Sequence, residues 1–325
     1  MLIARVLAKP AVAFAVFGLM AATPAAAQTY PTRDITCIVA FAPGGVADTI
    51  ARLLAQGLGP KLGRTVVVEN RGGAGGNIAA SAVARAAPDG YTLLVTTTAL
   101  AINETLRKNN GFSTSELKTI AIVASSPEAM VSGPSNSAAN LADFVKSVKG
   151  KPITFGTAGV GSGSHIAGEY FFKEIAKIPA THVPFQGGAP AINAVMGNQI
   201  DLMETTLGGG AAAQIKAGKI KGLGIAAAKR VAVTPNVPTY AEQGFPPFEA
   251  SSWVGVFAPA NTSPDIIAKL NATVEQVMKD PAVQQRLTSI GFDPIEGSQA
   301  QAESYFRSEV AKWGKMVKTL GLSIN

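Results

Sequence analysis

Residues 30–80 read YPTRDITCIVAFAPGGVADTIARLLAQGLGPKLGRTVVVENRGGAGGNIAA. An apolar run over Ile35–Phe41 ends in Pro43-Gly44-Gly45, and an amphipathic pattern follows from Ala47 to Leu62. A second apolar run, Thr65–Glu69, ends in the glycine cluster of Arg71–Gly76. A helical pattern over Asn77–Ala86 and a third strand pattern over Tyr91–Thr97 come next. Short apolar strands bounded by glycine and alternating with helices predict largely parallel sheets covered by helices on both faces. Glycine in such turns lets backbone approach a bound molecule, and amides at a helix start carry partial positive charge that suits an anion.

The alternation continues outward. Strand patterns lie over Ile153–Gly156, His182–Phe185, Ile200–Thr205 and Ile220–Ala226. Helical ones lie over Leu141–Lys149, His165–Ala176, Ala189–Met196 and Pro264–Lys279. A long pattern from Gln299 to Leu320 carries Tyr305, Phe306, Val310, Trp313 and Val317 on overlapping faces, as expected of a packing helix. About 300 residues exceed what one core usually organises, so two lobes are expected. The polar stretch SSPEAMVSGPSNS (Ser125–Ser137) and the Pro-rich GFPPFEASS (Gly244–Ser252) are the expected crossovers. They divide the chain into 28–125 plus 251–325 and 126–250.

Residues 1–27 combine Arg5 and Lys9, an apolar run from Ala11 to Ala22 and Ala25-Ala26-Ala27 before Gln28. That order predicts a secretory signal peptide cleaved after Ala27, with an apolar core too short to span a bilayer. Cys37 is the single cysteine, so no internal disulfide forms, which fits a bacterial periplasm. The formal charge of +7 falls to +5 once the two leader cations are removed, and it is spread along the chain. Nucleic-acid binding needs clustered basic residues or a recognisable module, and neither occurs.

Four further stretches carry candidate chemistry. GTAGVGSGSHIAGEYF (Gly156–Phe171) takes a strand end into a loop with four glycines and the hydroxyls of Thr157, Ser162 and Ser164, an arrangement that suits an anion. HVPFQGGAPAINAVMGNQIDLM (His182–Met203) brackets a helix with a second glycine turn and a strand end, continuing to Glu204 and Thr205. TTTALAIN (Thr96–Asn103) ends the third strand with three hydroxyls and an amide. RGGAGGNIAA lacks the G-X-G-X-X-G spacing, and no Walker-type lysine follows, so no nucleotide cofactor is expected. Asn77 there has the look of a helix cap, and Asp48 that of a cap or turn-orienting residue. His165 and His182, the only histidines, show no ligand spacing for a metal and no local triad pattern. Neither Ser162 nor Ser164 has the flanking glycines of a hydrolase elbow.

Taken with Phe41–Asp48 (FAPGGVAD), these segments resemble the Bug-type, TctC-like substrate-binding proteins of bacterial tripartite tricarboxylate transporters, over nearly all of the chain after residue 28. The resemblance implies an α/β fold of the two-lobed periplasmic binding protein kind, a type II-like Venus flytrap with a mainly parallel sheet in each lobe. It further implies a monomeric, non-enzymatic binder that delivers a small organic carboxylate to the transporter's membrane subunits. Ligand contacts are then expected from Phe41, Ala42, Gly44 and Gly45, and from Thr97, Thr98 and Asn103. The second lobe would add Thr157, Gly161, Ser162, Ser164, His165, Phe185, Gln186, Gly187, Asp201 and Thr205. Family members usually carry a basic residue at the position of Gln186. Two other readings stay open: a secreted α/β hydrolase using Ser162 or Ser164 with His165, and a partner of an extracytoplasmic sensor.

Overall fold

The computed structural model describes residues 30–148 and 150–325, of which Pro31–Asn325 form one compact unit. The expected leader and its cleavage site lie outside the described residues.

The first alternating stretch forms β1 (Ile35–Val39), α1 (Val46–Leu62), β2 (Val66–Asn70), α2 (Asn77–Ala84) and β3 (Thr92–Thr97). In α1 the buried face is set by Ile50, Leu54, Leu58 and Leu62, one helical turn apart. Gly63 ends the helix in the left-handed conformation, φ 67°, with its N–H donating to Gly59 O. Next come α3 (Ala99–Leu106), β4 (Leu117–Ser132), α4 (Leu141–Ser147), β5 (Ile153–Thr157) and α5 (Gly163–Tyr170), which winds on as a π-helical segment over Phe171–Ala176. The chain continues through β6 (Ala180–Pro184), α6 (Gly188–Met196), β7 (Leu202–Thr206), α7 (Ala212–Lys216) and β8 (Lys221–Ile225). It ends with β9 (Ser251–Pro259), α8 (Pro264–Met278), α9 (Pro281–Ser289), β10 (Asp293–Pro294) and α10 (Gln299–Thr319).

The strands join in the order β2-β1-β3-β9-β4-β7-β5-β6, with β8 and β10 also paired to β4. Two parallel triplets, β2-β1-β3 and β7-β5-β6, flank a central antiparallel pair, β9 and β4. β1, β3 and β5 are almost wholly buried, which explains their continuous apolar runs. This is the α/β architecture expected from the alternation, with a sheet half on each side of the central strands.

The two expected crossover stretches take the form of paired strands. Ser125–Ser132 is the second half of β4, a strand of 16 residues that pairs with β9 early and with β7 later. Its polar groups mislead because they are satisfied internally: Ser126 Oγ donates to Gly291 O at 2.7 Å and accepts from Gly208 N–H at 2.9 Å. The returning Ser251 and Ser252 open β9, so two paired strands, with Ser126 opposite Ser252, connect the sheet halves.

Trp253 and Phe257 on β9 pack against Phe306 of α10, with centroid separations of 5.8 Å and 5.1 Å. Each such burial contributes about 1.5–3 kcal/mol. The indoles of Trp253 and Trp313 both donate to Glu309 Oε2, at 3.1 Å and 2.8 Å. The Gln299–Leu320 pattern is therefore a packing helix, begun by a capping box between Ser298 and Gln301. Cys37 is buried, and burial pushes its thiol up to about 12.

Candidate functional site

All six parallel strands end beside one cleft of about 660 Å³. Its walls are Phe41–Ala47 after β1, Gly72–Gly76 after β2, Thr97 at the end of β3, Ala158–Val160 and Ser162–Ser164 after β5, Pro184–Pro190 after β6, and Thr205, Thr206 and Gly209 after β7. Ser252 of β9 completes the floor. Within each triplet the carboxyl ends share one edge, where ligands bind in open α/β sheets; the two triplets run in opposite directions, so their carboxyl edges face each other across the cleft. The two sets of loops touch: a Cβ at Gly75 would lie 3.3 Å from Val160 O, and one at Gly209 3.2 Å from Val46 Cγ2.

Three helices begin in this wall without a side-chain cap. They are α1 after Gly45, α2 after Gly76 and α6 after Gly187, whose φ of 117° suits glycine. Their first-turn amides have no side-chain acceptor and carry the positive ends of the helix dipoles. Asp48 takes the orienting role expected of it, accepting from Gly44 N–H at 2.9 Å, Arg52 Nε at 3.0 Å and Asn70 Nδ2 at 2.9 Å. Burial would raise its carboxyl, but these hydrogen bonds outweigh that and hold it below the ordinary range. The Gly44 amide is thereby committed to the turn.

Of the expected contacts, Phe41, Ala42, Gly44, Gly45, Thr97, Ser162, Ser164, Phe185, Gln186, Gly187 and Thr205 line the cleft. Six do not. Thr98 is buried, its Oγ1 accepting from Trp253 N–H at 2.9 Å. Asn103 lies beneath both glycine loops, donating to Gly75 O and Asn77 Oδ1, each at 3.0 Å. Gly161 packs over it, so that a Cβ there would lie 2.7 Å from Asn103 Oδ1. Thr157 turns its hydroxyl to His182 Nε2 at 2.7 Å. Asp201 stands just before β7, four residues ahead of the cleft-lining Thr205, and binds the N–H and hydroxyl of Thr154 at 2.7 Å and 2.8 Å. Strand direction puts it at the far end of the sheet from the cleft. Asn77 is the first residue of α2 rather than its cap.

His165 also points inward. Its ring stacks on His182 at 4.3 Å, and its Nδ1 accepts from Gly161 N–H at 3.3 Å rather than from a serine. Burial, then the neighbouring His182 and Lys173, push it down to about 3, so both faces of the stack stay neutral at pH 7. Ser162 caps α5 by accepting from His165 N–H and donates to Gly159 O at 2.7 Å. No serine–histidine hydrogen bond forms between side chains among the described residues. The fold brings His165 and His182, far apart in sequence, to Glu169 with ligand atoms within 4.8 Å of one another. Glu169 is already paired with Lys173 at 2.7 Å.

Sequence patterning assigned no role to three features. Beneath the floor, Glu128 of β4 is wholly buried and accepts from Ser252 Oγ at 2.6 Å and Thr206 Oγ1 at 3.2 Å. Burial pushes it up to about 7. Glu204 on the same sheet face is raised well above the usual carboxylate range by burial and by Glu128, and accepts from Tyr240 Oη at 3.0 Å. The third feature is Arg107, the one charged residue lining the cleft among the described residues. It follows Asn103 by one helical turn, a signal hidden while TTTALAIN read as a strand edge rather than as the start of α3.

Among known proteins, the profile of the family described as "TctC: Tripartite tricarboxylate transporter family receptor" matches residues 50–322. The solved periplasmic binding protein BugD is 32% identical and superposes with a TM-score of 0.84, covering 90% of this chain and 99% of its own. A Rhodopseudomonas palustris protein solved with adipate is 31% identical, TM-score 0.86, with coverages of 90% and 99%. MatC from the same organism, solved with bound malate, is 32% identical, TM-score 0.82, with coverages of 89% and 100%.

Proposed function

Because the chain belongs to the family of tripartite tricarboxylate transporter receptors, we propose that it is a periplasmic solute receptor that captures a small organic carboxylate and presents it to membrane subunits of a transporter. The observation that carries this reading is the convergence of six strand-end loops and three uncapped helix starts on one cleft. A carboxylate accepts hydrogen bonds only, and the cleft's wall offers backbone amides with few committed acceptors. Relatives solved with adipate and with malate support an organic acid as ligand.

Capture works by closure of two lobes, 28–125 plus 251–325 and 126–250, about the paired middle of β4 and β9. A ligand touching both lobes favours the closed state by its differential affinity. The protein acts as a monomer, without cofactor or metal, and makes or breaks no bond: His165 is held by backbone and ring packing rather than by a nucleophile. Export follows from the leader, and mass spectrometry of the exported protein should place its N-terminus at Gln28.

A thermal-shift screen of organic acids tests the reading. A ligand at a hundredfold its dissociation constant adds roughly 2.7 kcal/mol of stability, readily seen as a raised Tm. Stabilisation by one or more acids without turnover is the expected result. Turnover of an ester or amide abolished by His165→Ala would overturn it.

A further inference from the structure

The cleft is chemically lopsided. Among the described residues its polar lining consists of hydroxyls, one amide side chain and backbone, all neutral, and Arg107 supplies the only charge. Neighbouring arginines are committed: Arg52 to Asp48, Arg71 to Glu69, and Arg85 to Gly111 O at 2.7 Å. Arg107 has no side-chain hydrogen bond or acidic partner among the described residues, and its Nε is buried without a partner. A guanidinium partly withdrawn from water gains most from an anion, because its fork matches a carboxylate in two parallel hydrogen bonds.

Its placement is fixed by backbone. Arg107 N–H donates to Asn103 O at 3.1 Å, and the flanking Leu106 O and Lys108 N–H bind Ile324 at 2.9 Å and 3.1 Å. The side chain is therefore presented from an anchored segment. Its Nη2 lies 3.5 Å from where a Cβ on Gly75 would stand, at the point where the second glycine loop meets Val160 of the facing loop. The left-handed φ of 64° at Gly75 keeps that space open.

We propose that Arg107 is the specificity-determining residue of the cleft, holding a second carboxylate on acids whose first carboxylate is bound by the neutral amide and hydroxyl wall. This rests on the reading of the cleft as a carboxylate site and deepens it. Acids with a single carboxylate bind through the wall alone, so Arg107 separates diacids from monoacids of equal length.

Titration calorimetry of the purified protein with matched pairs tests this: succinate and butyrate, glutarate and valerate, adipate and hexanoate, pimelate and heptanoate, terephthalate and benzoate. At least one diacid should bind about tenfold or more tighter than its monoacid, a preference that shrinks as salt is raised. In Arg107→Gln the preference should collapse to about twofold or less while monoacid affinity is kept. The wild-type comparison and its salt dependence hold even if the variant fails to fold. Monoacids and diacids bound equally by wild type, or an equal loss of both in Arg107→Gln, would overturn the assignment and leave the receptor reading standing. Absence of binding by every acid would overturn both.

Discussion

Replacing Glu128 by glutamine should flatten the protein's loss of stability between mildly acidic and mildly alkaline pH. Glu128 is wholly buried, and among the described residues its carboxyl has no cationic partner and accepts only from the hydroxyls of Ser252 and Thr206. Burial raises it from an ordinary value of 4.5 to about 7. An acid raised in the folded state favours folding fully below its unfolded value, and that contribution is lost as pH climbs through the folded value. The window is thus from about 4.5 to about 7. At 1.36 kcal/mol per unit, the loss is about 3 kcal/mol. The buried histidines work in the opposite sense, since their lowered values favour folding at higher pH. Comparing wild type with Glu128→Gln cancels them. Urea unfolding of both proteins at pH 5 and pH 8 provides the assay. The wild type should lose about 3 kcal/mol more than the variant on going to pH 8. Glu204 keeps a smaller slope of the same sign in the variant, because burial still raises it once Glu128's charge is gone. Losses equal within about 0.5 kcal/mol would refute the argument that Glu128 is forced to charge in a dry site.

Glu309→Ala should cost about 2–4 kcal/mol, because it strands two buried indole N–H groups, those of Trp253 and Trp313; an unchanged urea midpoint would contradict that. His165→Asn should resist acid better than wild type: His165 must charge in a buried site as pH falls from 6.5 towards 3, so the variant's Tm should fall less over that range. Parallel acid melts of the two proteins would count against this account of the histidine stack.

Much of the fold was legible because glycine and apolar runs carry it locally. The pattern over Ala47–Leu62 became α1, with Gly63 as its left-handed stop, and each expected parallel strand lies within two or three residues of its place. What stayed hidden depends on partners distant in sequence. Glu128 and Ser126 hid the strand within the crossover stretch, since nothing near them shows that Ser252, Thr206 and Gly291 satisfy them. Asp201 resembled a site acid, yet strand direction puts it with Thr154 away from the cleft. Thr98 and Asn103 read as ligand contacts, but Thr98 accepts from Trp253 and Asn103 lies beneath the glycine loops, while Arg107, one turn further on, lines the cleft instead.

The central claim, that an organic carboxylate is captured intact in this cleft, is tested most directly by a crystal structure with the acid that gives the largest thermal shift. The account predicts an unaltered acid between the two sets of strand-end loops, one carboxylate accepting from amides at the start of α1, α2 or α6. Density for the acid outside the cleft, or for a cleaved or enzyme-linked product within it, would contradict the claim.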